Sequence, residues 1–173
     1  MGDPQAVLLD WPAPAVARLR INRANKRNAI DQSVRQALTD ALQVLADQSH
    51  ARALVFGGVG GVFSAGGDLP SMVGLSEAQA RERMQQVQRL CQLVAGLRFP
   101  VVSAIEGFGA GAAVGGEEAH RIGLADALAA DADVMAHAVQ QAQALAALPL
   151  DAFAPPLPLA GEDRGEGRAD SGP

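Results

Sequence analysis

Apolar and polar positions alternate from residue 15 to residue 21: Ala17, Leu19 and Ile21 fall on one side, Arg18 and Arg20 on the other. A period of two predicts a half-buried strand. After a polar stretch at 22–28, Asp31 stands where an N-cap belongs, and Val34, Leu38, Ala41, Leu42 and Leu45 recur at helical spacing. They predict an amphipathic helix ending near Ser49. Residues 52–56 form a short apolar strand and 57–61 a glycine-rich turn. Val62-Phe63 is extended and leads into Ser64-Ala65-Gly66-Gly67-Asp68-Leu69. Ser76 with Gln79 three residues on is a capping box, opening a second helix with Met84, Val87, Leu90, Cys91, Val94 and Leu97 along its stripe. Pro100 ends it. Residues 101–105 read as a buried strand entering a second glycine-rich loop, Gly107-Phe108-Gly109-Ala110-Gly111-Ala112. Strand and helix alternate twice, which predicts an α/β layered fold with crossover helices.

Residues 117–130 are alanine-rich and read as helical with a break at Gly123, and a further helix is expected from about Asp133 to Ala147. No apolar period survives beyond Pro149. The expected organisation is therefore one domain over 1–149, helical at its end, and a Pro/Gly-rich disordered tail over 150–173.

A chain of 173 residues with 49% hydrophobic residues can fill one core. Its apolar residues are mostly small. With 19 Gly, five Phe, one Trp and no Tyr, packing relies on close backbone approach, and aromatic stacking on nucleic acid is poorly supplied. A net charge of −5 also lacks the basic footprint that phosphate backbones require, so no nucleic-acid partner is expected. The lone Cys91 excludes an internal disulfide and a Cys-cluster metal site. His50, His120 and His137 show no ligand spacing, so no metal is expected. No apolar run approaches the roughly 18 residues of a membrane span, and no charged-then-apolar leader opens the sequence, so a cytoplasmic protein is expected.

Two glycine-rich loops, 64–69 and 107–112, each follow a strand and could present backbone N–H groups to an anion. Singly, each reads as a tight turn. As a pair they can supply the two donors of an oxyanion hole.

The text around these loops resembles the crotonase superfamily, the enoyl-CoA hydratases and isomerases. Leu19-Arg20-Ile21-Asn22-Arg23-Ala24-Asn25-Lys26-Arg27-Asn28-Ala29-Ile30 is similar to the family's N-R-P-x-x-x-N-A segment, and Phe63-Ser64-Ala65-Gly66-Gly67-Asp68-Leu69 to F-x-A-G-x-D-[LI]. Pro100-Val101-Val102-Ser103-Ala104-Ile105-Glu106-Gly107-Phe108-Gly109-Ala110-Gly111-Ala112-Ala113 resembles P-V-I-A-A-V-x-G-x-A-x-G-G-G. Glu117-Glu118-Ala119-His120-Arg121-Ile122-Gly123-Leu124-Ala125-Asp126 resembles E-A-x-x-x-G-L-V-D. The four blocks keep family order over roughly residues 5–149.

The resemblance implies a ββα superhelix that binds an acyl-CoA thioester and holds its carbonyl oxygen with two backbone N–H groups, at Ala65 and Ala112. It also implies contacts to the coenzyme A moiety from Lys26, Arg27, Asn28, Ala65, Gly66, Gly67, Asp68 and Gly111. Coenzyme A enters as part of the substrate, in fatty acid metabolism of the lyase or isomerase type, and no separate cofactor is expected. Lys26, the sole lysine, is either a phosphate contact or a solvated loop charge.

The sequence also departs from the family. Gly115 occupies the position of the first catalytic Glu, and the text then jumps to Glu117-Glu118-Ala119 of a later helix. The implied superhelix is thus incomplete, with the second catalytic Glu lost in an internal deletion. The closing helices that cover the acyl pocket and build the family's trimers or hexamers are replaced by an unrelated tail, so that assembly is not carried over. Adding water to an enoyl double bond needs a base and an acid, commonly two carboxylates. Glu117, Glu118, Glu106 and Asp68 are the candidate substitutes, against a bland reading in which the first two sit on a solvated helix start and Asp68 accepts amides of its own turn. The expected protein grips an acyl-CoA but is catalytically impaired. Two alternatives stay open. Gly107-x-Gly109-x-x-Ala112 with Asp126 fits a dinucleotide-binding fingerprint, and the chain could be a non-catalytic fragment dependent on a full-length relative.

Overall fold

The computed structural model describes residues 5–47, 50–107 and 115–153. Four strands, β1 (Val7–Ala13), β2 (Val16–Ile21), β3 (Ala53–Gly58) and β4 (Val101–Ser103), form one sheet in the order β1-β2-β3-β4. β1 and β2 are an antiparallel hairpin, whereas β2–β3 and β3–β4 are parallel. Helix α1 (Gln32–Asp47) provides the crossover from β2 to β3, and α2 (Glu77–Ala95) the crossover from β3 to β4. A short α3 (Gly116–Arg121) and then α4 (Val134–Ala146) follow. This is the α/β layering that the alternating strands and helices predict.

The period of two in the strands decides which layer each residue meets. Ala17, Leu19, Ile21 and Leu54 face α1, packing with Val34, Leu38, Leu42 and Leu45. Val16, Ala53 and Val55 face the other way, onto Ala138 and Ala142 of α4. The small residues on this second face let α4 approach closely. A Cβ on Gly57 would lie 2.8 Å from the terminal methyl of Met135, a measure of how closely α4 sits on the sheet. Asp31 caps α1 as expected, its Oδ1 accepting from the Val34 N–H at 3.0 Å. Ser76 and Gln79 form the reciprocal box at the start of α2, at 3.3 and 2.9 Å.

Two expectations are corrected. The apolar stripe opened by α2 is buried only toward its end: Met84 is 62% exposed and Cys91 is exposed, whereas Leu90 and Val94 pack against the core and Leu97, just past the helix, is buried in it. Its first half meets α1 across polar side chains, so amphipathic spacing there does not become burial. Over 117–130 the chain breaks at Gly123 as expected, with α3 ending at Arg121 and Gly123 at φ +76°, but the segment beyond it to residue 130 is not helical. Finally, β1 was not anticipated. Its outward positions Leu9 and Trp11 are exposed apolar residues and Pro12 breaks the pattern, so hydrogen bonding to β2 defines it rather than burial. The tail beyond residue 153 lies outside the described residues.

On the hairpin, the Arg18 guanidinium donates to both oxygens of Asp10, at 2.8 and 2.6 Å, with Arg20 at 3.3 Å. The hydrogen bond from Arg18 holds the Asp10 carboxyl below its usual range, against a smaller opposing effect of burial. A carboxyl whose folded pKa is lowered stabilises the fold above its unfolded value of about 3.9 and loses that contribution as the pH falls toward the folded value. Asp10 is partly exposed, so Asp10→Asn should cost at most about 1 kcal/mol. Urea denaturation at pH 7 and pH 3 checks this: the penalty should shrink in acid, and an equal penalty at both would show that the ion pair is not its source.

Candidate functional site

The polar stretch after β2 folds back on itself through two consecutive left-handed residues, Arg27 (φ +50°) and Asn28 (φ +56°). Asparagine is among the few residues that tolerate this conformation. Asn28 is fully buried, and its side chain is saturated. Oδ1 accepts from the Arg23 N–H at 2.9 Å, and Nδ2 donates to the carbonyls of Val59 at 2.9 Å and Val62 at 2.6 Å. Its own carbonyl accepts from the buried Ser64 hydroxyl at 2.8 Å, and that hydroxyl in turn accepts from the Gly66 N–H at 3.0 Å. One asparagine therefore ties the 23–30 loop to the first glycine-rich segment.

A short backbone ladder continues the attachment. The Ala65 N–H donates to the Arg27 carbonyl at 2.9 Å, Ile30 to Gly66 at 2.8 Å, and Asp68 to Ile30 at 3.1 Å. Glycine at 66, with φ +86°, permits the reversal. A ligand oxygen at Ala65 would have to share or displace the Arg27 carbonyl. Arg23 braces both sides: it donates to the Ala29 carbonyl at 3.1 Å, pairs with Asp31 at 3.0 Å and stands 3.7 Å from Asp68. The Asp68 side chain thus faces Arg23 and caps no amide of its own turn, contrary to the bland reading; its backbone carbonyl accepts from the Ser71 N–H at 3.0 Å. Arg23 and Ser64 are site-building residues that the sequence did not single out. Both lie inside the blocks quoted above, and what was missing was any signal that they meet.

Lys26 and Arg27 are exposed at the mouth of this loop, and among the described residues neither has an ion-pair partner. They remain available to an anion.

The second glycine-rich segment begins beside the first. β3 and β4 run parallel, Ala104 donates to Phe56 at 2.8 Å, and Phe63 donates to the Glu106 carbonyl at 2.9 Å. Gly107, with φ +57°, comes so near that an added Cβ would sit 2.6 Å from the Gly61 carbonyl oxygen. The first loop and Gly107 at the start of the second therefore follow the carboxyl ends of neighbouring parallel strands, the position at which open α/β sheets bind ligands. Gly111 and Ala112 lie outside the described residues.

Among the candidate carboxylates, Glu117 and Glu118 are exposed on α3, and Glu118 is held by Arg121, whose hydrogen bonds keep its carboxyl low. That is the solvated helix start of the bland reading. His50 stacks on Trp11, with ring centroids 4.5 Å apart, and the His120 ring lies 2.9 Å from the Ala125 carbonyl. Among the described residues no group of three or more His, Cys, Asp or Glu could hold a metal ion, and no helix is long and apolar enough to cross a membrane. The dinucleotide reading needs a strand ending near Asp126, and the described chain has none there.

The enoyl-CoA hydratase/isomerase family profile matches residues 13–115. Enoyl-CoA hydratase domain-containing protein 2, mitochondrial, from Bos taurus is 35% identical over 133 residues, covering 76% of this chain and 42% of its own length. A crystal structure of a putative enoyl-CoA hydratase from Rhodopseudomonas palustris superposes with a TM-score of 0.57 at 30% identity, covering 62% of this chain and 40% of that one. For the enoyl-CoA hydratase of Bacillus anthracis the TM-score is 0.78 at 18% identity, over 84% of this chain and 78% of that one, a likeness of fold. The chain spans less than half the length of the curated relatives it matches. With Gly107, the start of the second glycine-rich loop, packed on the turn before the first, and the profile running through both segments, the chain belongs to the enoyl-CoA hydratase/isomerase family of the crotonase superfamily.

Proposed function

We propose that this chain binds an acyl-CoA thioester at the carboxyl ends of β3 and β4, between the two glycine-rich loops. The observation that carries this is their junction: Phe63 bonded to Glu106 and Gly107 packed on Gly61. In this reading the amides of Ala65 and Ala112 hold the thioester oxygen, with the Ala65 amide exchanging the Arg27 carbonyl for the ligand. Lys26 and Arg27 lie by the coenzyme A phosphates, and Asn28, Gly66, Gly67, Asp68 and Gly111 shape the cradle. An enolate-like oxygen develops negative charge, and fixed peptide donors stabilise it without reorganising, one donor accounting for about 10²–10³ in rate.

Water addition additionally requires proton transfer, and positioned acid–base groups contribute roughly 10²–10⁴-fold. With glycine at 115 and Glu118 committed to Arg121, the proposed protein binds acyl-CoA and hydrates it poorly. Isothermal titration with acetyl-CoA should give saturable binding, and Lys26→Gln should weaken it by up to about tenfold, ~1.4 kcal/mol. Binding of NAD without acetyl-CoA binding would overturn the site. Turnover of crotonyl-CoA well above background, followed by loss of conjugated absorbance, would overturn the deficiency. A dependence on a full-length relative is the second reading, favoured by Leu69 and Val73 at 73% and 82% exposure. A sharp cooperative melt of the isolated chain would exclude it.

A further inference from the structure

We propose that the cleft between α1 and α2 is a second ligand site, separate from the thioester cradle, that takes a small oxyanion with Arg35 as its anchor. The two helices share an apolar seam at one end, where Leu38, Leu42 and Leu45 meet Leu90, Leu93 and Val94. Beside this seam lies a cleft of about 420 Å³ lined by polar and charged residues, including Arg35 and Gln43 of α1 and Glu82, Gln85, Gln86 and Arg89 of α2. Two helices that merely pack would close such a gap with apolar side chains.

Arg35 is only 5% exposed, yet among the described residues no carboxylate lies within ion-pair distance of it. Its Nε donates to Gln86 Oε1 at 3.3 Å, and its Nη1 is buried without a partner. Glu82, the carboxylate in the cleft, accepts instead from Gln86 Nε2 at 3.3 Å. A buried guanidinium with an idle donor is costly, and burial together with the nearby Arg83 charge weakens its hold on its proton, while Asp31 compensates only in part. A carboxylate or phosphate in the cleft supplies the countercharge that Arg35 lacks. Arg89 adds a second cation, and the glutamine amides add neutral donors. Those features suit an anionic group of one or two charges on a small molecule.

The full chain, titrated by NMR at constant ionic strength with inorganic phosphate and separately with acetate, tests this. Saturable shifts of the Gln43, Gln85 and Gln86 side-chain amides are expected with at least one of them, and the ion that saturates identifies phosphate or carboxylate as the preferred group. Arg35→Gln should weaken binding at least about tenfold. Arg89→Gln, a change at an exposed helix position that leaves the fold intact, should weaken it several-fold, and Lys26→Gln should leave it unchanged. A linear response with both ions, an affinity indifferent to Arg89→Gln, or one lost with Lys26→Gln would overturn the proposal. The last result would place the anion in the thioester cradle.

Discussion

Gly58→Ala is expected to remove the cooperative thermal transition of this protein. Gly58 ends β3 where the chain turns into the first glycine-rich segment, and a Cβ there would overlap the carbonyl oxygens of Val62 and Phe63 and the Asn28 side-chain nitrogen. None of these atoms is the free end of a flexible side chain. The two carbonyls belong to the turn itself, and the nitrogen is already bonded to Val59 and Val62. Relief would require breaking that network. The cost should exceed about 4 kcal/mol, within reach of the whole stability of about 5–15 kcal/mol of a single domain. Gly61→Ala is the control. It places a Cβ in open space at φ +69°, so only the left-handed backbone penalty of roughly 1–2 kcal/mol applies. Similar melting temperatures for the two variants would refute the steric account.

The contrast between these glycines shows what the sequence could reveal. That 57–61 and 64–69 were turns was legible, because glycine and polar residues interrupt two apolar periods. Which glycine was indispensable was not, since that depends on atoms of Asn28, 30 positions away. α1 was readable to within two residues because a side-chain cap and a buried stripe agree there. On α2 the cap is as expected, but the stripe is buried only toward its end: helical spacing says that apolar residues share a face, and only the neighbouring element decides whether the face is covered. Arg35 sits between Val34 and Gln36 and shows nothing of its burial in the sequence, where a charged residue inside a helix reads as solvent-facing. The Arg23–Asp31–Asp68 cluster was hidden for a similar reason: three charges spread over 45 residues meet only after the loops fold back.

Asn28→Ala is expected to destabilise the protein by about 3–5 kcal/mol and to abolish acetyl-CoA binding together with the fold of its loop. Two causes act at once and can be separated. Truncation leaves the Arg23 N–H and the Val59 and Val62 carbonyls without their buried partner, each worth roughly 1–3 kcal/mol. Alanine must also hold φ +56°, which glycine does at no steric cost. Asn28→Gly should therefore be less damaging than Asn28→Ala by about 1 kcal/mol, the reverse of the order in an ordinary helix. Asn28→Asp tests the hydrogen-bond direction: it keeps the acceptor for Arg23 but turns the Nδ2 donor into an oxygen facing two carbonyl oxygens, so it should rank with or below alanine at neutral pH. Urea titration of the three variants gives the order directly. Wild-type stability in Asn28→Asp would mean that the donor facing Val59 and Val62 is dispensable, and the 23–30 loop would then be held mainly by the ladder from Ala65 to Arg27 and from Ile30 to Gly66.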